Sequence, residues 1–403
     1  MPLIYIQPIS TEIFKKMIAT KDRTKELFAF FNFLLYSHPQ VAIPAGKNFD
    51  LYFPFFKMTF ERIWPVKFQN VSIIGLAHVD APHRITSTEL EKQISPIIKR
   101  INARPDIIQS LTGIVARRFW EPGRQPSEAA AMAAEKAIMA TSIDRSHLGI
   151  LVNTSVCRDY IEPSVACLVH GNLGLSPECM NFDVGNACLA FLNGMEIIGN
   201  MIERGQVDYG IVVDGEGSRF VVETTIQRLL ASDCDAETFF ANFATFTLGS
   251  GGAAMVLARS DLAPDGHQLL GSVSLAATQH KDLCRGQMDS MQTDAGALLV
   301  AGIELAAATF EKAKKELGWH PGDLDQFILH QVSAVHTAKL IALLGLDDNK
   351  VFKTFPEYGN VGPAAIPITL SKALEEDRIV KGDRVALMGI GSGLNCAMME
   401  IRW

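Results

Sequence analysis

The stretch that decides the fold surrounds one cysteine and reads Asn181-Phe182-Asp183-Val184-Gly185-Asn186-Ala187-Cys188-Leu189-Ala190-Phe191. A short strand runs into a turn of small residues, and Cys188 opens a helix that we predict to extend to Arg204, before Gly205. Unpaired N–H groups and the positive dipole end at a helix N-terminus favour the thiolate, the nucleophilic form, and so predict a lowered pKa. Composition alone, however, favours an inert buried thiol.

The predicted helix is apolar on most sides, through Leu189, Phe191, Leu192, Met195, Ile197, Ile198, Met201 and Ile202. A helix that is apolar around its circumference is buried. Gly194 and Gly199 would let neighbouring backbones approach it closely. We therefore expect Cys188 to lie at the end of an apolar tunnel rather than on a surface.

Strands and helices alternate from Lys67 onward, which predicts an α/β fold with largely buried strands. Two elements recur in the same order. A Gly-rich turn enters an apolar strand at 248–257 and again at 390–399, and the buried strand at 148–152 has a counterpart at 327–331. This recurrence favours an internal duplication over chance repetition of glycines.

The duplication divides the chain into an N-terminal extension (1–66), a first half carrying the nucleophile (67–260) and a second half (261–403). The extension holds eight Lys or Arg residues against five acids, and its Phe-rich segment 27–35 predicts a short helix. One interpretation is an appendage that binds a membrane surface or a partner. The alternative is an accessory segment packed on the main domain, or an upstream start site.

Composition excludes several classes of function for these 403 residues. The net charge of −7 gives no electrostatic basis for binding nucleic acid. No apolar run approaches the roughly 18 to 20 residues of a membrane span, and the first residues lack the pattern of a signal peptide. The seven cysteines are irregularly spaced, form no zinc motif and suit a reducing compartment. The sequence thus predicts a cytoplasmic protein without a metal.

Two further positions carry side chains with catalytic potential. His330 ends a buried strand, and Asn360 lies in a Gly- and Pro-rich loop before a helix. Each alone would be interpreted as structural, His330 as a satisfied core residue and Asn360 as a turn or helix cap. The Gly389–Gly393 turn is either an ordinary tight turn or a source of a backbone N–H for an oxyanion.

Taken in order, Cys188 in FDVGNAC, His330 in LHQVS, Asn360 in GNVGPAAIP and the terminal GIGSGLN match the Cys–His–Asn set of the thiolase superfamily. The chain most resembles the ketoacyl synthase III branch. Within that branch, residues 67–403 are similar to the OleA family of olefin-biosynthesis acyl-CoA condensing enzymes. The resemblance implies a duplicated five-layer α-β-α-β-α fold and an acyltransferase that uses CoA thioesters as substrates and needs no cofactor.

Two residues are singled out by the resemblance alone. Glu162 in RDYIEPS resembles a glutamate that reaches into the partner subunit's active site, which implies a homodimer in which Glu162 is the base. Arg117 in TGIVAR resembles a segment near the entrance for pantetheine or nucleotide, which implies contact with a CoA phosphate. An exposed surface arginine is the alternative for Arg117.

The resemblance implies two half-reactions. Cys188 takes the acyl group of one acyl-CoA, with the oxyanion held by the backbone N–H groups of Cys188 and Ser392. His330 and Asn360 then polarise a second acyl-CoA, and removal of its α-proton leads by Claisen condensation to a 3-oxoacyl product. The tunnel favours long acyl chains, and downstream olefin-biosynthesis enzymes would take the product.

Two alternatives stay open. Ketoacyl synthase III condenses acyl-CoA with malonyl-acyl carrier protein and generates the carbanion by loss of CO2, so no base is needed. Glu162 therefore favours condensation without decarboxylation. The other alternative is a catalytically silent scaffold, and the complete set of Cys188, His330 and Asn360 argues against it.

Overall fold

The computed structural model describes residues 51–53, 56–58 and 66–403. The chain separates into two compact units, Met1–Ile63 and Trp64–Trp403. The helix predicted from the Phe-rich segment of the extension lies outside the described residues.

Within the first unit, β1 (Leu51–Phe53) and β2 (Phe56–Met58) pair as an antiparallel hairpin. The other strands, β3 to β16, belong to the second unit. In chain order they are Val66–Lys67, Val71–Asp80, His83–Thr86, Ala116–Phe119, Leu148–Asn153, Met180–Asp183, Tyr209–Glu216, Gly251–Arg259, His267–Ala276, Cys284–Gly286, Met291–Thr293, Gln326–Leu329, Arg384–Gly391 and Asn395–Arg402.

Twelve α-helices, α1 to α12, lie in the described part of the second unit. They are Ser87–Gln93, Ser95–Arg100, Ile107–Thr112, Pro126–Met139, Val165–Leu173, Ala190–Glu203, Arg219–Ala231, Ala236–Asn242, Ala295–Leu317, Ala334–Leu344, Phe355–Tyr358 and Ala365–Glu375. No helix in the described part of the chain combines the length and the apolar character needed to cross a membrane.

One mixed sheet runs in the order β14-β15-β16-β11-β4-β10-β9-β7-β8, and β3 pairs with β11. Its pairing pattern occurs twice. Strand β7 runs parallel to β9, which is antiparallel to β10, which is antiparallel to β4. Likewise β14 runs parallel to β15, which is antiparallel to β16, which is antiparallel to β11. The predicted duplication is confirmed, including the predicted equivalence of β7 with β14 and of β10 with β16.

Within the described residues, β4 and β11 link the two half-sheets through two residue pairs, His267 with Ile73 and Gln268 with Ser72. The first repeat ends at Arg259 and the second begins at His267, beside the boundary predicted between residues 260 and 261. Both repeats belong to the one compact unit Trp64–Trp403. The three-part division itself stays a prediction.

Successive side chains of the strands point into different layers, as expected for strands buried on both faces. In β9, Ile211 and Val213 pack against α4 and α5, whereas Val212 packs with α6 and α12. Helices α9 and α10 cover the second half-sheet through residues such as Leu305 and Leu340. The predicted five-layer α-β-α-β-α arrangement is confirmed, with α6 and α12 as its middle layer.

Candidate active site

Cys188 lies in a turn between β8 and α6. The helix begins two residues later than predicted, at Ala190 instead of Cys188, because Ala187–Leu189 form a 3-10 turn before α6. Ala187 has φ 46°, the left-handed region, which costs a residue with a Cβ about 1–2 kcal/mol. Gly391 packs so closely on this turn that a Cβ there would lie 2.7 Å from the carbonyl oxygen of Asn186. Neighbouring backbone therefore holds the cysteine in a strained turn.

The environment of Cys188 contradicts the predicted low pKa. Burial raises the pKa of the Cys188 thiol to about 12, and the nearby Glu216 and Cys284 add to the rise. The thiol is therefore protonated at neutral pH in the free protein. An acylation at this sulfur must include transfer of the thiol proton to another group.

His330 follows the last residue of β14 and is almost fully buried. Its backbone N–H donates to the carbonyl oxygen of Met388 at 2.8 Å, which extends the pairing with β15. Burial, with a smaller effect of His336, lowers the pKa of His330 to about 3. Among the described residues its Nδ1 has no hydrogen-bond partner. The ring is therefore a neutral imidazole, which can both accept and donate a proton.

Asn360 lies in the loop between α11 and α12, and its backbone is fixed from both sides. Its N–H donates to the carbonyl oxygen of Thr247 at 2.8 Å, and its carbonyl oxygen accepts from the N–H of Gly249 at 2.9 Å. The side-chain Oδ1 accepts from the N–H of Gly362 at 3.0 Å. Since Oδ1 is occupied, Nδ2 is the atom left to donate into the cavity.

These residues line one cavity of about 2180 Å³. It brings together four of the predicted site residues, Cys188, His330, Asn360 and Ser392. Ser392 lies in the turn between β15 and β16, and the oxyanion role of its backbone N–H stays a prediction.

Arg117 does not lie at an entrance, so the expected CoA phosphate contact is wrong, and so is the alternative of an exposed surface residue. The side chain is fully buried, and the cavity is lined without it. Its Nη1 donates to Oγ of Ser87 at 3.0 Å and its Nη2 to the carbonyl oxygen of Phe246 at 2.8 Å. Burial lowers the pKa of Arg117 to about 10, so it is still a cation at neutral pH. The guanidinium is structural, because it braces the segment that leads to Thr247.

Glu162 lies in the loop between β7 and α5 and is exposed. It does not line the cavity of its own chain, although its neighbour Ile161 does. Ile161 is also 86% exposed, so the loop tip protrudes. Glu162 is thus exposed outside the cavity that holds its own Cys188, and its role at a partner's site stays a prediction.

Two carboxyl groups at the end of β9 were missed from the sequence. Asp214 and Glu216 are buried, and Glu216 lines the cavity. Burial raises the pKa of Glu216 to about 7, and burial and the neighbouring Glu216 raise the pKa of Asp214 well above its usual range. A signal was available in Val212-Val213-Asp214-Gly215-Glu216, in which two acids directly follow an apolar strand.

Comparison with known proteins places the chain among condensing enzymes. Residues 315–403 match the family described as 3-oxoacyl-[acyl-carrier-protein] synthase III, C-terminal. An acyl-CoA:acyl-CoA alkyltransferase of Xanthomonas campestris is 52% identical over 336 residues, which are 83% of this chain and 99% of that protein. One from Shewanella oneidensis is 38% identical over 84% of this chain and 100% of its own. A crystal structure of Xanthomonas campestris OleA with bound lauric acid and lauroyl-CoA has a TM-score of 0.82 at 51% identity, covering 83% and 100% of the two chains.

The five-layer fold and the cysteine–histidine–asparagine cavity define a condensing enzyme of the thiolase superfamily. A β-ketoacyl-[acyl-carrier-protein] synthase III from Natranaerobius thermophilus is more distant, at 29% identity over 83% of this chain and 99% of its own. The chain belongs to the OleA family of acyl-CoA:acyl-CoA alkyltransferases.

Proposed function

We propose that this protein condenses two long-chain acyl-CoA molecules head to head, without decarboxylation, through an acyl-Cys188 intermediate. The observation that carries the proposal is the convergence of Cys188, a neutral His330 and the amide of Asn360 on one large cavity. Family membership supports the same substrate class, since the relatives at 52% and 38% identity are named for acyl-CoA acting on acyl-CoA.

In the first half-reaction, the sulfur of Cys188 attacks the thioester carbonyl of acyl-CoA. The thiol proton passes to the neutral imidazole of His330 and then to the departing CoA thiolate, so the products are acyl-Cys188 and free CoA. Burial of both groups makes a separated ion pair costly, which favours a proton transfer concerted with attack. The N–H groups of Cys188 and Ser392 hold the oxyanion.

In the second half-reaction, Glu162 of the partner subunit removes the α-proton of a second acyl-CoA. An N–H of the imidazole of His330 and Nδ2 of Asn360 donate to the enolate oxygen. The carbanion attacks the carbonyl of acyl-Cys188, and collapse of the adduct releases the thiolate of Cys188 and a 3-oxoacyl-CoA. The sulfur then regains the proton that Glu162 removed, which restores both groups, and no cofactor takes part in this scheme.

A homodimer is part of the proposal. Strand β8 ends the described sheet and pairs only with β7, so one of its edges is open. Its side chains Met180 and Phe182 are exposed, as is Ile161 at the loop tip. Open strand edges and exposed apolar patches favour association with another chain. A second copy that covers this edge would bring each loop tip towards the other chain.

Long acyl chains suit the size and lining of the cavity. Drug-sized ligands occupy pockets of about 300–1,000 Å³, and this cavity holds about 2180 Å³. Apolar residues contribute to its wall, among them Leu111, Phe240, Phe243, Leu298 and Leu299. The free thiols of the described chain support the cytoplasm as the compartment, and downstream olefin-biosynthesis enzymes are the proposed recipients of the product.

The decarboxylative reaction of ketoacyl synthase III is the second candidate, because the family match at residues 315–403 carries that description. Incubation of the purified protein with long-chain acyl-CoA alone, followed by addition of malonyl-acyl carrier protein, separates the two. We expect a 3-oxoacyl product and free CoA from acyl-CoA alone. Product that forms only after malonyl-acyl carrier protein is added would select the decarboxylative reaction.

The base is tested with the variant Glu162→Ala. We expect normal acylation of Cys188, measured by intact-protein mass spectrometry, together with loss of the condensation product. The matched control is Glu178→Ala, because Glu178 is also exposed and does not line the cavity. Full condensation by Glu162→Ala would exclude the role of Glu162 as base.

A further inference from the structure

The loop that carries Glu162 is fixed at its base by buried groups while its tip protrudes. Glu216 provides the first anchor. Its Oε1 accepts from the backbone N–H of Val156 at 2.6 Å, and its Oε2 accepts from that of Cys157 at 3.3 Å. Both carboxyl oxygens therefore accept from the backbone at the start of the loop, and an ionised carboxylate accepts most strongly.

Two other anchors complete the base of the loop. Asp159 accepts from the N–H and the Oγ of Ser127, at 2.9 and 2.5 Å. Asp183 accepts from Nη1 of Arg158 at 3.2 Å. Beyond these contacts the chain continues to the exposed residues of the tip, including Ile161.

Glu216 differs from the other anchors because it also lies close to the chain's own catalytic residues. A Cβ at Gly362 would lie 3.5 Å from its Oε1, and the N–H of Gly362 donates to the side chain of Asn360. The negative charge of Glu216 also helps to raise the pKa of the Cys188 thiol. One buried carboxyl therefore lies between the catalytic turn of its own chain and the loop that carries Glu162.

We propose that Glu216 is a positioning residue that sets where Glu162 enters the active site of the partner subunit. Glu216 holds the backbone N–H groups of Val156 and Cys157. These two residues begin the segment of chain that leads to Glu162, so fixing them fixes the position of Glu162. The inference rests on the proposed function, in which Glu162 acts across the interface. It predicts that a change at Glu216 impairs condensation at the neighbouring chain's site without slowing the acylation of that chain's Cys188.

Mixed dimers, made by co-expressing two differently tagged chains, test this. One chain carries Cys188→Ala, so each dimer has a single productive site: the intact chain supplies the nucleophile and the Cys188→Ala chain supplies Glu162. Glu216→Gln is then added to one chain at a time. Glutamine keeps the size of the side chain but replaces one acceptor with a donor that opposes an N–H group.

On the chain that supplies Glu162, Glu216→Gln is expected to lower condensation between about tenfold and about 100-fold, as for a reacting group displaced by about 1 Å. Acylation of the intact Cys188 should stay normal by mass spectrometry. On the chain that supplies the nucleophile, Glu216 lies beside Cys188 and Asn360, so there we expect the same substitution to change the acylation rate of Cys188. Condensation that stays normal with Glu216→Gln on the chain that supplies Glu162, or acylation of the intact Cys188 that falls with it, would overturn the proposal.

Two controls keep the proposal separate from the proposed function. Glu162→Ala, placed on one chain at a time in the same mixed dimers, should abolish condensation only when it is on the chain without the nucleophile. If condensation were lost only when Glu162→Ala is on the chain with the nucleophile, catalysis by Glu162 across the subunit interface would be disproved. This outcome does not depend on the role of Glu216. Ser127→Ala loosens the same loop from a position outside the cavity wall. It should act like Glu216→Gln on the chain that supplies Glu162, and an unchanged rate there would count against positioning by the loop base.

Discussion

Two opposing effects act on the thiol of Cys188. A charge at a helix terminus gains about 0.3–1 kcal/mol from the dipole. Raising the thiol pKa from 9.0 to about 12 corresponds to about 4 kcal/mol against the thiolate. Burial therefore outweighs the helix terminus, and the protein must generate its nucleophile during the reaction.

The pH dependence of alkylation follows from this balance. We expect the rate at which iodoacetamide modifies Cys188 in the free protein to rise about tenfold per pH unit from about pH 7 to about pH 10, since the thiolate fraction still increases there. Peptide mass spectrometry after timed quenching measures this rate. A plateau below about pH 9 would contradict a raised pKa of the thiol.

The assignment of the nucleophile leads to a second prediction. Cys188→Ser should fold normally, because the side chains are of similar size, yet accumulate no acyl group when incubated with acyl-CoA. Intact-protein mass spectrometry gives the readout. Cys167→Ser is the control at an exposed thiol and should acylate like the parent. A covalent acyl group on the Cys188→Ser protein would overturn the assignment.

Individual site residues were predictable from the sequence to different degrees. Cys188, His330 and Asn360 were found because their motifs occur in a fixed order, and the cavity brings them together. Glu216 was missed because an acid after an apolar strand usually marks a solvated turn, and burial depends on packing from distant segments. The burial of Arg117 was invisible for the same reason.

At the scale of secondary-structure elements, the catalytic turn depends on a glycine from the other half of the chain. Gly391→Ala would place a Cβ 2.7 Å from the backbone oxygen of Asn186, and backbone moves less readily than a side-chain end. We expect a displaced Cys188 and an acylation rate lowered about 100-fold, the order of loss for a shift of about 1 Å. Stopped-flow release of CoA measures this rate.

The matched control is Gly171→Ala in α5. Among the described residues, no atom outside the adjoining backbone of α5 lies within 4 Å of the added Cβ, and alanine favours a helix interior over glycine by about 0.5–1 kcal/mol. This variant should acylate normally and unfold at a slightly higher temperature. Equal acylation rates in the two glycine variants would show that the packing of Gly391 on the turn does not position Cys188.

The elements themselves were largely predictable, because glycine-rich turns and buried apolar strands recur in both halves. The start of α6 was not. Ala187 adopts a left-handed conformation that its side chain disfavours, so local preference gave no sign of a turn imposed by neighbouring backbone.

At the scale of the whole molecule, the relatives bear on the extension. The two alkyltransferase relatives are matched over 99% and 100% of their lengths by only 83% and 84% of this chain. We therefore expect deletion of residues 1–66 to leave condensation of acyl-CoA nearly unchanged. Activity and size-exclusion chromatography of the shortened protein measure the outcome, and loss of a soluble dimer would instead assign the extension a structural role.

The exposed tip at Ile161 and Glu162 has a consequence for how the catalyst responds to dilution. If the base of each reaction centre comes from a second molecule, a lone chain can load its sulfur but cannot complete the carbon–carbon bond. Turnover per molecule should then fall as the protein is diluted below the dissociation constant of the pair, while loading continues. Mass action would thus set the rate of olefin-precursor synthesis. The total rate would then increase more than proportionally with the concentration of the protein.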